Sequence, residues 1–446
     1  MDTPIFDFLK GYQREGMSRL HMPGHKGIGP LGCEALDLTE IKGADSLYEA
    51  DGIIAQSEEN ATRLFGTRRT FYSAGGSTQC VKAMLHLALT SRGENNAPVV
   101  LAARNVHKSF VFAVGLLGLG VEWLWPEEEG SLCACPVTPE GLEVALSAME
   151  KPPCAVYITS PDYLGNMADV AALAAVAHRH GSLLLVDNAH GAYLHFLDKP
   201  CHPMDLGADL CCDSAHKTLP VLTGGAYLHI SKTAPYSMEE NARTALSLFG
   251  STSPSYLIMA SLDLCNGYLA GEGREDIQAA AKALSGLKAA LTQEGWVLAG
   301  EEPLKLTLNA NQRGWDGREL ADLLRVGGVE CEYADSDYVV LMVSGNTKAE
   351  DLRKVADTLS AAKPKPPLSR PTLPQARGEQ ALSIRQALLA PHETVPVDQA
   401  LGRICAAPTV SCPPAIPIAV TGEVIGPEAL ALFRHYGVEK CEVVKE

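Results

Sequence analysis

No stretch of this sequence stays apolar long enough to cross a bilayer. Its longest greasy run, VFAVGLLGLGVEWLW, falls short of the roughly 20 residues a spanning helix needs and is broken by glycines. The opening residues, MDTPIFDFLKGYQ, lack the basic-then-apolar pattern of a signal peptide. Positive charge is scarce: 37 Lys and Arg stand against 53 Asp and Glu, a net charge of −16. That balance argues against nucleic acid as the main partner, and it is compatible with cationic substrates, which an acidic surface concentrates. The 13 cysteines include no C-x-x-C pair of a zinc site. Several sit inside apolar runs, where a free thiol behaves as a small core residue. We read a reducing, cytoplasmic compartment and expect no metal. A Walker lysine and a G-x-G-x-x-G pattern are both missing, which sets aside a nucleotide-binding reading of the glycine turn at 75–76. There is no internal repeat.

What is present is an ordinary globular composition, 46% hydrophobic and 20% charged over 446 residues, enough for two or three domains. Short buried runs, PVVLAA (98–103), CAVYITS (154–160), SLLLVD (182–187) and DLCCDS (209–214), read as strands. Helical patterns lie between them; ADVAALAAVAHRHG ends in basic residues with Gly181 in the stop position. This alternation predicts an α/β domain, a mostly parallel sheet with helices on both faces, whose ligands bind beyond the carboxyl ends of the strands. A long helical segment at about 256–293, then LKLTLNA, GRELADLLRVGG and DYVVLMVS, indicates a smaller α+β domain. The divisions expected are an N-terminal arm and start of the large domain (1–60), the large domain (61–250), the small α+β domain (251–362), a proline-rich extended linker (363–374) and a C-terminal module (375–446).

Four stretches carry chemistry. In YSAGGSTQ, a turn at Gly76 leads through Ser77 and Thr78 into a helix, where exposed N–H groups and hydroxyls suit an anion; the same pattern also makes a plain N-cap. In LLLVDNAHGAY, Asp187 ends a buried strand, where a carboxylate can hold a ligand nitrogen protonated or simply cap the next helix. Ala189 leaves room for a flat ring, and His190 reads more readily as a core histidine than as a ligand contact. In AARNVHKS, His107 can stack on a planar ring or serve as a polar loop residue. In SAHK, Ser214 and His216 can donate to a phosphate and Lys217 can form an imine. Taken together, a phosphate cup, a strand-end aspartate, a stacking ring and a lysine describe a site for pyridoxal phosphate.

At these residues the chain resembles the Orn/Lys/Arg decarboxylase family, pyridoxal phosphate enzymes of fold type I. HMPGHKG (21–27), DLTEIKGADSLYEADGIIAQSEENATRLFG, GGSTQ, RNVHKS, TSPDYLGN, VDNAHGAY, SAHKTLP, STSPSYLIMASLD and CPPAIPIAVTGEVI resemble its successive blocks. The length, and the lack of an N-terminal wing domain, resemble the short form. The resemblance implies that Lys217 holds the cofactor, that Gly76, Ser77, Thr78, Ser214 and His216 bind its phosphate, that Asp187 pairs with the ring nitrogen, and that His107 and Ala189 flank the ring. Thr252 and Ser253 would reach the phosphate of a neighbouring subunit, which implies a homodimer with shared sites; both also suit an N-cap for a helix near Tyr256.

The implied reaction is α-decarboxylation of lysine, ornithine or arginine to a polyamine precursor, with Lys217 or His216 returning the proton to Cα. Asp162, Tyr163 and Glu423 are candidates for the substrate's distal cation, with loop capping or a surface carboxylate as the plainer alternatives. Other readings are a different pyridoxal phosphate reaction, for which Arg313 or Arg318 would have to bind a carboxylate, and a regulatory paralogue that does not turn over. Departures from the family's blocks motivate the last: Asn188 where glutamate is usual, Gly224 where glutamine is usual, and Ala415 and Thr421 in a block that usually reads P-P-G and P-G-E.

Overall fold

The computed structural model describes residues 1–91, 98–408 and 414–445. Cys412 and Pro413, which open the last of the quoted blocks, lie outside them. Seven strands form a mostly parallel sheet: β1 (Arg69–Ser73), β2 (Val99–Ala103), β3 (Gly120–Leu124), β4 (Ala155–Thr159), β5 (Leu183–Asp187), β6 (Leu210–Asp213) and β7 (Ala226–Ile230). The four apolar runs PVVLAA, CAVYITS, SLLLVD and DLCCDS are β2, β4, β5 and β6. Each is buried along nearly its whole length, which is why it reads as a continuous run and not as an alternation.

The chain divides into two compact units. The first, residues 1–96 and 170–278, holds β1, β7, β6 and β5 in that order; β5 and β6 are parallel, and β7 runs antiparallel to both of its neighbours. Helices Gly76–Thr90 and Val170–Arg179 follow the expected patterns, and Gly181 takes the left-handed conformation (φ 67°) of a helix stop. The long helical segment is two helices, Tyr256–Ala270 and Gly273–Gln293. The first ends where Gly271 leaves the helical conformation (φ −105°, ψ −115°), and the second opens at Gly273, where a β-carbon would lie 2.6 Å from the Tyr268 ring.

The second unit, residues 97–169 and 279–446, holds β4, β2 and β3, all parallel. The greasy run at 111–125 resolves into the end of helix Lys108–Leu117, a left-handed Gly118 and strand β3. The unit also holds an antiparallel sheet of β8 (Leu298–Ala299), β9 (Lys305–Asn309), β10 (Tyr333–Ala334) and β11 (Tyr338–Met342) in the order β10-β11-β9-β8. Residues 363–379 carry neither helix nor strand. Beyond them β12 (His392–Pro396) and β13 (Lys440–Val444) pair antiparallel and share a core of Ile418, Phe433 and Val443 with helix Pro427–His435. Among the described residues no helix is long and apolar enough to cross a membrane.

Candidate active site

In the first unit, the candidate residues gather where strands end and helices begin. Asp187 is the last residue of β5 and is 3% exposed. Its Oδ1 accepts the Ala189 N–H at 3.2 Å and the Cys212 thiol at 3.6 Å, so the carboxylate is held in a buried, fixed position. One strand over, Asp213 ends β6. The chain then turns through Ser214 into the short helix Ala215–Thr218, which carries His216 and Lys217.

Lys217 points its Nζ to within 2.9 Å of His190 Nε2. Lys217 is exposed in the single chain, whereas His190 is 5% exposed. The core reading of His190 is therefore incomplete: the ring is buried, but it is a partner of the amine. The signal available in the sequence was its position three residues after a strand-end aspartate.

The helix Gly76–Thr90 starts immediately after a turn at Gly75, with no side-chain cap. Ser77 and Thr78 thus lie in its first turn, and the N-cap alternative fails for both. Ser77 Oγ accepts the Ser214 hydroxyl at 2.7 Å, which brings two hydroxyls from distant parts of the sequence to the same helix start. Gly76 adopts φ 71°, and a β-carbon there would meet nothing within 4 Å, so open space faces the turn. The Gly76 N–H is fastened by the Gly224 carbonyl at 2.8 Å. An exposed amine, a deep carboxylate, paired hydroxyls and open space at the start of a 15-residue helix fit an aldehyde-bearing phosphate with a basic ring.

His216 donates from Nδ1 to the Gly225 carbonyl at 3.1 Å, and burial pushes its pKa down. The neutral ring then presents Nε2 as an acceptor. Thr252 and Ser253 are both exposed; the cap of helix Tyr256–Ala270 is Ser255, whose side chain accepts the Ile258 N–H.

The other candidates lie in the second unit. His107 caps helix Lys108–Leu117, its Nδ1 accepting the Ser109 N–H at 3.2 Å. Asp162 accepts from Leu164 N, Asn166 N and Asn166 Nδ2 at 2.7–2.9 Å, the loop-capping arrangement. Tyr163 donates its hydroxyl to Glu332 at 2.6 Å. Glu423 is no surface group: it is 3% exposed, accepts the Val420 N–H at 2.7 Å and lies 3.8 Å from Arg104. The carboxylates of Asp162 and Glu423 are each engaged by their own neighbours. Arg313 stacks on Trp296, with its guanidinium carbon 4.6 Å from the ring centroid, and Arg318 bonds the His435 carbonyl.

Comparison with known proteins adds a family to this geometry. Residues 3–311 match the model of the Orn/Lys/Arg decarboxylase major domain. The protein YaaO of Bacillus subtilis is 30% identical over 96% of this chain and 93% of its own. The arginine decarboxylase of the same organism is 30% identical over 96% of this chain and 92% of its own. The solved structure of the constitutive lysine decarboxylase of Escherichia coli superposes with a TM-score of 0.78 at 19% identity, covering 100% of this chain and 82% of that one.

Proposed function

The chain belongs to the Orn/Lys/Arg decarboxylase family, pyridoxal-phosphate-dependent enzymes, and from that premise we propose that it removes the α-carboxyl of arginine, lysine or ornithine and releases the amine as a polyamine precursor. The observation that carries this reading is the Lys217 amine beside His190, in the same unit as the strand-end Asp187 and the paired hydroxyls of Ser77 and Ser214.

Bound pyridoxal phosphate supplies an electron sink for the pair left on Cα when carbon dioxide departs. Ser77, Ser214 and the N–H groups of Ser77 and Thr78 in the first turn of helix Gly76–Thr90 would hold the phosphate. Asp187, buried and fixed, would keep a proton on the ring nitrogen. Lys217 would hold the aldehyde carbon. With His190 Nε2 at 2.9 Å, the Lys217 amine can give up and regain a proton, so it is the favoured donor back to Cα. His216 has its Nδ1–H committed to Gly225, and it serves a phosphate only when its Nε2 is protonated. The exposed Thr252 and Ser253 suit a homodimer in which each chain completes its neighbour's site.

The test is a panel of arginine, lysine and ornithine with cofactor-loaded protein, reading carbon dioxide and amine together. One substrate should give both in equal amounts, and Lys217→Ala should lower the rate by about 10³-fold or more. A keto-acid product, or an unchanged rate in Lys217→Ala, would sink the proposal.

A further inference from the structure

Behind the strand-end aspartate lies a second carboxylate, which the proposed chemistry does not use. Asp213 is fully buried, as are Asn188, His202 and His229 around it. Asn188 Nδ2 donates to Asp213 Oδ1 at 2.7 Å. His202 Nε2 lies 3.2 Å from Oδ1 and 3.0 Å from Oδ2, and His229 Nε2 lies 3.0 Å from Oδ2. The Cys211 thiol adds a contact to Oδ1 at 3.5 Å.

The proton positions can be assigned from the partners. The Met204 backbone N–H donates to His202 Nδ1 at 3.2 Å, so that nitrogen is bare and the ring proton sits on Nε2, aimed at Asp213. Burial lowers the pKa of His229, and the single proton of its neutral ring is needed on Nε2, because an ionised carboxylate can only accept. Thr70 then donates to its Nδ1 at 2.9 Å. The cluster is thus a carboxylate surrounded by donors. His202, Cys211 and Asp213 also lie close enough together to be a metal-ligand set. A ligating imidazole, however, needs a bare Nε2 and donates from its other nitrogen, the reverse of what His202 does.

Asn188 directly follows Asp187. Its own N–H continues the β5–β6 ladder, donating to the Cys212 carbonyl at 3.0 Å, while its side chain is tied to Asp213. The family's usual glutamate at this position would set two carboxylates at hydrogen-bond distance in a buried place. We propose that Asn188 and Asp213 are one positioning unit for Asp187, in which residue 188 must present a donor because residue 213 is a buried anion. The role assigned to Asp187 rests on the function proposed above; the pairing itself does not.

Three variants of the full chain test it: Asn188→Asp, Asp213→Asn and the double exchange. Asn188→Asp should retain pyridoxal phosphate about tenfold less well and melt at a lower temperature. Asp213→Asn should be mild, because the Asn188 amide can turn its oxygen toward the new donor. The double variant should recover most of both losses, since the amide now at position 213 can accept from the two rings and donate to the carboxylate now at position 188. The pH at which the bound cofactor's absorbance changes should move in Asn188→Asp and return in the double variant, a shift that a mere folding fault would not produce. If Asn188→Asp does not accumulate as folded protein, recovery in the double variant carries the same result. The pairing is overturned if Asn188→Asp matches wild type, if the double variant is no better than Asn188→Asp, or if the purified protein carries stoichiometric zinc. Wild-type protein that takes up no pyridoxal phosphate would sink the proposed function, while melting temperatures alone would still judge the pairing.

Discussion

Two regions of this chain each bury a carboxylate, and each departs from the family's usual sequence, yet they resolve the problem in opposite ways. At the strand ends of the first unit, burial pushes the Asp213 carboxyl up, and the electrostatic attraction of the His202 and His229 rings, with their hydrogen bonds, more than offsets this and holds it low. In the C-terminal block of the second unit, burial pushes Glu423 up, and Arg104 opposes this only in part. The difference lies in the donors. Arg104 stands 3.8 Å from Glu423, with Nη1 donating to the Pro417 carbonyl at 2.8 Å, Nη2 to the Ile418 carbonyl at 2.9 Å, and Nε without a partner among the described residues. Asp213 has three N–H donors within hydrogen-bond distance, from Asn188, His202 and His229, whereas Glu423 has the Val420 N–H. The departures follow the same division. The Asn188 amide N–H has a dedicated partner in Asp213, although its Oδ1 has none among the described residues, whereas the only polar side-chain atom of Thr421 is buried without a partner among them, and Ala415 takes φ 59°, where glycine is at ease.

Truncation should break the comparison most severely at Asp213. Asp213→Ala strands three buried N–H donors and is expected to lower the unfolding free energy by about 3–5 kcal/mol. Glu423→Gln keeps an oxygen for the Val420 N–H and leaves Arg104 on its two carbonyls, so about 1–2 kcal/mol is expected. Urea denaturation at neutral pH measures both, and equal losses would erase the contrast.

The pH dependence sharpens it, because the two groups should act with opposite sign. Glu423, raised in the folded state, contributes stability that is present below its unfolded pKa and lost as pH rises through the folded value. Asp213, depressed when folded, contributes stability that is present above its unfolded pKa and lost as pH falls. From pH 4 to 7, the stability advantage of wild type over Glu423→Gln should therefore shrink. Its advantage over Asp213→Asn should hold across that window and decline only in stronger acid. Urea midpoints for the three proteins across the window decide this, and a common slope would contradict it.

Much of the frame behind this comparison was legible in the sequence, since β2, β4, β5 and β6 are buried on both faces and read as unbroken apolar runs. Lys217, Asp187 and Ser77 could be picked out because each falls at a strand end or a helix start. What could not be read were the partners. The bond between His190 and Lys217 joins residues 27 apart, and that between Asn188 and Asp213 joins residues 25 apart; both depend on which strands lie side by side. The surface alternative for Glu423 fails for the same reason, because nothing local to VTGEVI announces Arg104, 319 positions earlier in the chain.

A smaller effect is expected at Thr421. Its hydroxyl is fully buried and unbonded among the described residues, and valine has nearly the same shape without the polar atom. Thr421→Val should raise stability by about 1 kcal/mol, read as a higher urea midpoint. A loss would show that the hydroxyl has a partner.

The smallest effect should come from Ala415, for a reason that separates it from Asn188. Its left-handed backbone aims its carbonyl at the Lys108 N–H, 2.9 Å away, satisfying a donor at the start of the helix that His107 caps. Alanine in that conformation is strained by roughly 1–2 kcal/mol. Glycine would relieve the strain but would lose about 0.5–1 kcal/mol to its freer unfolded state, and about 0.8 kcal/mol with the burial of the methyl group, which is 1% exposed here. These terms nearly cancel, so Ala415→Gly should stay within about 0.5 kcal/mol of wild type by urea denaturation. A gain well beyond that would mean the methyl group is poorly packed, and a clear loss would mean the backbone is not left-handed. A near-zero result would mean that the departure at 415 is balanced within one residue, whereas the departure at 188 holds only because residue 213 is an anion.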